Sequence, residues 1–423
     1  MPAKYQSWES PRCQIMRQMA KARPMSRALC LTCKGGRLMC GMSYCPLLEK
    51  VRLQNPFEGK LKQDMFGPSP SIFVGWRNYP DVFVGPMTSV ESNNASLLDD
   101  PASWYGMGFD DILLMRSMLV RSKSPVNVRN HGRFVSDNQE IALSVKPVDV
   151  ETHFKRQPTY SMSFSPISQP MGPSGVLDSF KIADNPRIPA NVEYVVGDEI
   201  RASDMLSLLF DKGYDVYYLT RALSSGALGM PTGKRLVPTR WSITAVDDIL
   251  TKELLKSVRT YPSLSDYLVY SNQYLENHFE ILLMPGAWEF EQFEAWAPET
   301  LWTMSHSMPT IIEEHERHEG RTDYAINEGG GYYAGRFGVV EALSRMMRQA
   351  RVVIFREIYE GYVMPVGVWE VRENVRKAFE KRPKRFNTLR EALDDISTRL
   401  KIPLCNYVEK SEILRQRRIT DYS

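Results

Sequence analysis

Residues 72–84 read Ile72-Phe73-Val74-Gly75-Trp76-Arg77-Asn78-Tyr79-Pro80-Asp81-Val82-Phe83-Val84. Two short apolar runs, rich in β-branched and aromatic side chains, flank a segment of turn formers, so they predict two buried strands around a loop. A Gly/Pro/Lys-containing linker is expected before them, over 56–70. Helical spacing begins after them, over about 109–120. Region 140–200 is rich in Pro, Ser and Gly, with strand-like runs such as 141–145. Ser203 is placed to cap a helix through Asp211, with Gly213 ending it, and Val216-Tyr217-Tyr218-Leu219 reads as a strand. Ile249, Leu250, Leu254 and Val258 share one face of a helix expected over about 245–258. Strand-like runs recur at 267–270 and 279–284, and a helix over about 335–349 leads into a strand at 352–355. Val368, Val371, Val375 and Phe379 repeat at helical spacing until Pro383. Thr388 and Glu391 then form a capping box ahead of Leu389, Leu393, Ile396 and Leu400. There is no internal repeat. The fold class expected is mixed α/β (α+β): a small N-terminal module, a large mixed body and a helical C-terminal region with a flexible tail.

The chain of 423 residues is long enough for two domains, and its apolar (43%) and charged (24%) fractions are those of a globular protein. The longest apolar runs are far shorter than a membrane span, and the first thirty residues are basic without a continuous apolar stretch. These features predict a cytoplasmic (intracellular) protein, not a secreted or membrane one. A net charge of +3 hides a polarity: residues 1–37 carry eight basic side chains and one acid, and 371–423 carry fourteen and eight. The ends are thus +7 and +6, leaving the stretch 38–370 at about −10. Basic ends on an acidic body suit a polyanionic partner; the alternative is solvated surface charge.

Four of the six cysteines, Cys30, Cys33, Cys40 and Cys45, are spaced C-x2-C-x6-C-x4-C. In a reducing compartment this spacing points to a tetrahedral thiolate site rather than a disulfide framework. Gly35, Gly36 and Gly41 allow tight turns that aim amides at the sulfurs. Zn2+ is the expected ion, with an iron–sulfur cluster as the alternative. Four protein ligands leave no open coordination position, so the role expected is structural.

The tail Gln416-Arg417-Arg418-Ile419-Thr420-Asp421-Tyr422-Ser423 fits Q-x-x-I-x-x-Y, the pattern of peptides that dock on the replication sliding clamp (PCNA). One 3₁₀ turn would stack Ile419 and Tyr422 on a single face, with Gln416 offering a donor and an acceptor to a separate pocket. Many such peptides carry two adjacent aromatics, and Ser423 takes the second place here, which predicts modest affinity. The alternative is a frayed terminal helix.

The segment C-L-T-C-K-G-G-R-L-M-C-G-M-S-Y-C-P, then I-F-V-G-W-R-N-Y-P-D-V-F-V-G-P, then V-P-T-R-W-S-I-T-A-V-D-D, and the tail together resemble the archaeal Nre DNA-repair family. The resemblance runs from about Cys30 to Tyr422. It implies a nucleoid-associated role in the response to DNA damage, Cys30, Cys33, Cys40 and Cys45 as zinc-finger ligands, and residues 416–422 as the sliding-clamp motif. It assigns no catalytic residue. The expected layout is a basic arm over 1–29 and the zinc module with its linker over 30–66. An α/β main domain would follow over 67–300, a C-terminal α/β to helical domain over 301–410, and the clamp-binding tail over 411–423.

Other stretches offer chemistry less completely. Segment 226–235, G-A-L-G-M-P-T-G-K-R, is one residue short of a Walker loop and has Arg235 where magnesium needs a hydroxyl. Lys234, Arg235 and Arg240 remain candidates for phosphate contact, as does Arg77, against the reading of an ordinary surface turn. Gly329-Gly330-Gly331-Tyr332-Tyr333-Ala334 fits G-x-G-x-x-A but follows no convincing strand. His315 and His318 are three apart rather than four, so the metalloprotease motif fails; with Glu313 and Glu314 they read as a solvated charged helix face, a second metal site being the alternative. Asp247 and Asp248 are the candidates for a Mg2+- or Mn2+-dependent nuclease or phosphodiesterase, with Glu289, Glu291 and Glu294 as partners if the fold collects them. The competing role for the two aspartates is at a helix N-terminus. Arg376, Lys377, Lys381, Arg382, Lys384 and Arg385 make the densest basic stretch, with Phe379 reading as core. Three functions follow: a clamp-tethered DNA-repair factor, a metal-dependent nuclease on damaged DNA, or an RNA-binding zinc protein.

Overall fold

The computed structural model describes residues 57–91, 93–160, 172–298, 308–362 and 365–415. The four clustered cysteines and the tail residues Gln416, Ile419 and Tyr422 lie outside them. The described chain divides into two compact units, one running to Glu253 and the other starting at Leu254.

The first unit contains β1 (Asp64–Ser69), β2 (Ile72–Val74), β3 (Asp81–Ser89), α1 (Phe109–Ser117), β4 (Leu119–Asn127), α2 (Arg133–Leu143), β5 (Val148–Phe154) and β6 (Ser174–Ile182). Helices α3 (Ala190–Gly197), α4 (Ala202–Asp211) and α5 (Val216–Ser224) follow, then α6 (Thr239–Val258), within which the division falls. Its sheet has the order β1-β5-β6-β4-β3-β2, parallel only between β4 and β6. Ile72, Val74, Val82 and Val84 pack with Val135, Ile141, Val148 and Val150, so the two expected strands form one wall of this core.

Three sequence readings are corrected here. Residues 216–219 are helical because Asp215 accepts hydrogen bonds from the amides of Tyr217 and Tyr218, both at 2.8 Å, and the Val216, Leu219, Ala222 face is buried. The run at 141–145 begins as the buried last turn of α2 rather than a strand. Linker 56–70 includes β1, paired along its length with β5.

The second unit contains β7 (Tyr267–Tyr274), β8 (Asn277–Met284), β9 (Glu289–Trp296), β10 (Thr310–Glu316), α7 (Gly330–Met346) and β11 (Arg351–Ile358). It continues with α8 (Trp369–Phe379), β12 (Lys384–Phe386), α9 (Leu389–Ser397), α10 (Leu404–Val408) and α11 (Glu412–Arg415). The sheet order is β10-β9-β11-β8-β7-β12, and only β9 and β11 run parallel. Helices cover both faces, which is why β8 and β11 are buried at every residue. Ile281, Leu283, Val352 and Ile354 meet Val339, Leu343, Val371 and Val375 from α7 and α8. The alternate residues Leu282, Val353 and Phe355 meet Ile396, Leu400 and Tyr407. β9 pairs with β11, so residues 289–296 share a sheet with residues 351–358. The mixed α/β class stands, and the expected capping box at Thr388 and Glu391 is formed.

Candidate nucleic-acid interface

The loop between β2 and β3 is closed at its base by Gly75 N–H donating to the Phe83 carbonyl at 2.7 Å and at its tip by Asp81 N–H donating to Asn78 O at 2.9 Å. Asn78 takes the left-handed conformation (φ 64°) that the turn needs and that Asn tolerates. With the loop so tied, Trp76 and Tyr79 project outward, 47% and 44% exposed. The start of α6 meets this loop. Val74 N–H donates to Thr239 Oγ1 at 3.1 Å, and Ser224 holds the Val237 carbonyl at 2.8 Å. The ring of Trp241, 44% exposed, lies 5.1 Å from that of Tyr79. Large aromatic rings left in water at a rigid junction are costly to hydrate and suited to stacking on flat apolar ligands.

Cations lie in the same segments. The Arg77 guanidinium lies 5.9 Å from the Trp76 centroid, and that of Arg121, on β4, 5.3 Å from Phe73. Arg240, adjacent to Trp241, is exposed. Burial, and then the neighbouring Arg116, push the Arg121 pKa down to about 10. Burial, with Arg121 and Arg77 nearby, pushes the Lys123 ammonium down as well. Arg116 itself is half-buried, its guanidinium 5.4 Å from the Trp104 ring, with Asp99 as its counter-charge.

The other sequence candidates are placed differently. Lys234 donates to the Val196 carbonyl at 3.0 Å, and the amides of Gly233 and Lys234 bond to Met230 O, so the Gly-rich loop closes on itself. Arg235 is exposed. Asp247 and Asp248 are not at a helix N-terminus: α6 begins at Thr239, just after Pro238, leaving both in its interior, with Asp247 fully buried and Asp248 bonded to Lys252 at 2.6 Å. The three glutamates belong to the other unit. Glu289 is held by His315 and Arg351, Glu291 by Ser411 and the Glu412 amide, and Glu294 by Arg356. Among the described residues no group of three or more His, Cys, Asp or Glu could hold a metal ion.

His315 lies on β10, not on a helix; the E-E-H-E alternation turns Glu314 and Glu316 inward to Arg321 and Arg336. Residues 321–328 before the glycine run form turns, so the dinucleotide fingerprint lacks its strand. The basic stretch is largely neutralised within its own unit. Arg376 bonds Glu341 at 2.8 Å and Glu373 at 2.9 Å, Lys377 bonds Glu380, and Lys381 bonds Asn272 Oδ1 at 2.6 Å. Arg382 is exposed, and Phe379 packs on Tyr270.

The second unit also buries a polar layer. Arg356 donates to Asn277 at 3.0 and 2.7 Å and to Glu294 at 2.5 Å, and lies 3.5 Å from Glu370. Burial pushes the carboxyls of Glu294, Glu328 and Glu370 upward, Glu370 to about 7.

Two family models, described as "Archaeal Nre, N-terminal" and "Archaeal Nre, C-terminal", match residues 39–303 and 316–422. The chain belongs to the archaeal Nre family. Its similarity to DNA repair protein NreA of Archaeoglobus fulgidus is 36% identity, covering 88% of this chain and 93% of that one. DNA repair protein NreB of the same organism is 34% identical (92% and 97% covered), and NreA of Haloferax volcanii 35% (89% and 92%). No solved structure matches. No helix among the described residues is long and apolar enough to cross a membrane. Trp76 to Pro80 and Val237 to Trp241 are parts of the motifs that carry the Nre resemblance, and the fold brings them into contact. Sequence reasoning named Arg77 and Arg240 but passed over Trp76, Tyr79 and Trp241. The available signal was a Trp beside an Arg in each of two turn-flanked segments.

Proposed function

We propose that this Nre-family chain is a DNA-repair factor that engages unpaired DNA through the Trp76, Tyr79 and Trp241 face and is tethered to the sliding clamp (PCNA) through Gln416, Ile419 and Tyr422. The observation that carries the DNA contact is the junction of the two motifs, where the exposed Tyr79 and Trp241 rings meet and the exposed Trp76 ring lies under Arg77. Rings of this kind stack on bases of any sequence, and flanking cations neutralise phosphates. The similarity to DNA repair proteins NreA and NreB supplies the repair context. Cys30, Cys33, Cys40 and Cys45 are proposed to hold a structural zinc ion, for which four closely spaced thiolates are a suitable donor set.

The tether gains support from its root. Ser411 Oγ and the Glu412 amide both donate to Glu291, Arg351 Nη2 donates to the Ile413 carbonyl at 3.2 Å, and Ile413 is buried. The chain is therefore fixed up to the residue before the motif, and removing 416–423 takes away none of these anchors. Linkage to a clamp would raise the local concentration of the aromatic face at replicating or damaged DNA.

Anisotropy with labelled single-stranded and duplex oligonucleotides at stated salt tests the interface. Trp76→Ala and Trp241→Ala should each weaken single-strand binding roughly fivefold to a hundredfold, from about 1–3 kcal/mol per stacked base. Unchanged affinity in both variants sinks the proposed face. Deleting 416–423 should abolish clamp pull-down with single-strand affinity intact.

A further inference from the structure

Arg121 and Lys123 are two residues apart on β4, so the pleat turns both to one face of the sheet. Phe73 lies under the Arg121 guanidinium, and Trp76 under that of Arg77. Arg121 Nη2 donates to the Gly172 carbonyl at 3.2 Å, and Lys123 Nζ donates to Ser174 Oγ at 2.8 Å. Arg121 Nε is buried and has no hydrogen-bond partner. Among the described residues none of the three cations is ion-paired with a carboxylate, whereas Arg116 feels the opposite charge of Asp99 and Arg376 bonds two glutamates. The charged neighbours of Arg121 and Lys123 are themselves cations. Holding partly dehydrated like charges together is unfavourable for the protein alone. An anion seated between them reverses the sign and satisfies the orphaned Nε–H.

We propose that Arg77, Arg121 and Lys123 form a phosphate subsite, which takes one phosphate group of a nucleic-acid strand whose bases lie against Trp76 and the Tyr79–Trp241 pair. This rests on the reading of that face as the DNA interface and adds to it a fixed point for the backbone. Stacking alone lets a strand slide; a seated phosphate gives it a register. The flat planes of Arg77 and Arg121 present paired N–H donors suited to phosphate oxygens, and Lys123 adds a compact charge.

The test uses the full chain and a labelled oligothymidine, with and without a 5′-phosphate, over a range of salt. Lys123→Gln should lower the slope of log affinity against log salt by about 0.7, the value for one phosphate contact on a single strand. A preference for the 5′-phosphorylated strand that Lys123→Gln removes assigns a terminal phosphate; equal affinities with the reduced slope assign an internal one. In parallel, inorganic phosphate at constant ionic strength should raise the melting temperature of the wild type but not of Lys123→Gln. Arg77→Gln, at an exposed loop position, repeats both readouts without disturbing the core. If both variants keep the wild-type slope and phosphate response, the subsite is refuted, even where Trp76→Ala weakens binding and leaves the stacking face standing. If no oligonucleotide binds, yet phosphate stabilises the wild type and not Lys123→Gln, the subsite stands and the DNA interface falls.

Discussion

Glu370→Gln isolates the cost of burying charge in the second unit. Glu370 is fully buried, its Oε1 accepts from Asn374 at 2.8 Å, and its Oε2 has no hydrogen-bond partner, with Arg356 3.5 Å away. Burial raises its pKa to about 7; Arg356 and the Asn374 bond oppose the rise, and Glu294 adds to it. The native state therefore holds this proton more tightly than the unfolded chain, whose carboxyl titrates near the ordinary value of 4.5. Below that value the group costs nothing. As pH rises from 4.5 to about 7 stability falls, and above 7 the penalty is constant. At about 1.4 kcal/mol per pH unit, that interval amounts to about 3 kcal/mol. Glutamine keeps the acceptor for Asn374 and removes the charge. Its new amide faces Arg356, an unfavourable but pH-independent contact. The informative quantity is therefore the change with pH in the difference between variant and wild type. Hydrogen exchange of β8 and β11 amides reads opening of this unit by itself. From pH 5, where a small part of the penalty is already present, to pH 8.5 the stability of Glu370→Gln relative to wild type should improve by about 2.5 kcal/mol. A difference that stays constant over that range would refute the assignment of a raised carboxyl.

Gly335→Ala should destabilise the same unit by roughly 1–3 kcal/mol in urea unfolding, since its methyl would lie 2.1 Å from the buried Gln292 Oε1, whose amide holds Glu328. Thr388→Ala removes the cap that accepts from Glu391 N–H at 3.2 Å and should cost about 1 kcal/mol, seen as faster exchange in α9. Arg376→Ala should lower the melting temperature while leaving single-strand affinity unchanged, because its guanidinium is already engaged by Glu341 and Glu373; a loss of DNA binding comparable to Trp76→Ala would reinstate the basic stretch as an interface.

Local signals in the sequence translated well where the side chains and backbone that produce them are neighbours. The Thr388–Glu391 box and the two strands around residues 75–80 depend on residues within one turn or one hairpin, and both are formed. Val216-Tyr217-Tyr218-Leu219 misled because β-branched and aromatic residues favour strands when read alone. Asp215 as an N-cap and a buried helical face override that preference. The E-E-H-E-R-H-E run misled in the opposite direction. Dense charge reads as solvated helix, whereas here each inward carboxylate meets an arginine, the buried Arg336 of α7 or the half-buried Arg321 before it. Charge counts cannot reveal such pairing, and for the same reason the basic stretch at 376–385 looked available when most of it is spent on intramolecular bonds.

The aromatic face was hidden for a different reason. Its defining bond, Val74 N–H to Thr239 Oγ1, joins positions 165 residues apart, and its ring pair joins Tyr79 to Trp241. Neither segment by itself separates an exposed ring from a core one. Trp104 and Trp288 are wholly buried, while Trp76 and Trp241 are nearly half exposed. Only assembly decides which tryptophans reach water, and assembly also decides which cations lack a carboxylate. Arg116 and Arg121 sit on adjoining elements, yet Asp99 compensates the first and, among the described residues, no carboxylate pairs with the second. That asymmetry within one small region of the first unit is what makes a phosphate the expected completing group. It also makes a sharp comparison: Arg116→Gln should unfold the region by stranding Asp99, whereas Lys123→Gln should relieve repulsion and leave the fold at least as stable. A Lys123→Gln protein that melts several degrees below wild type in phosphate-free buffer would show that the cluster is held together by something other than a missing anion.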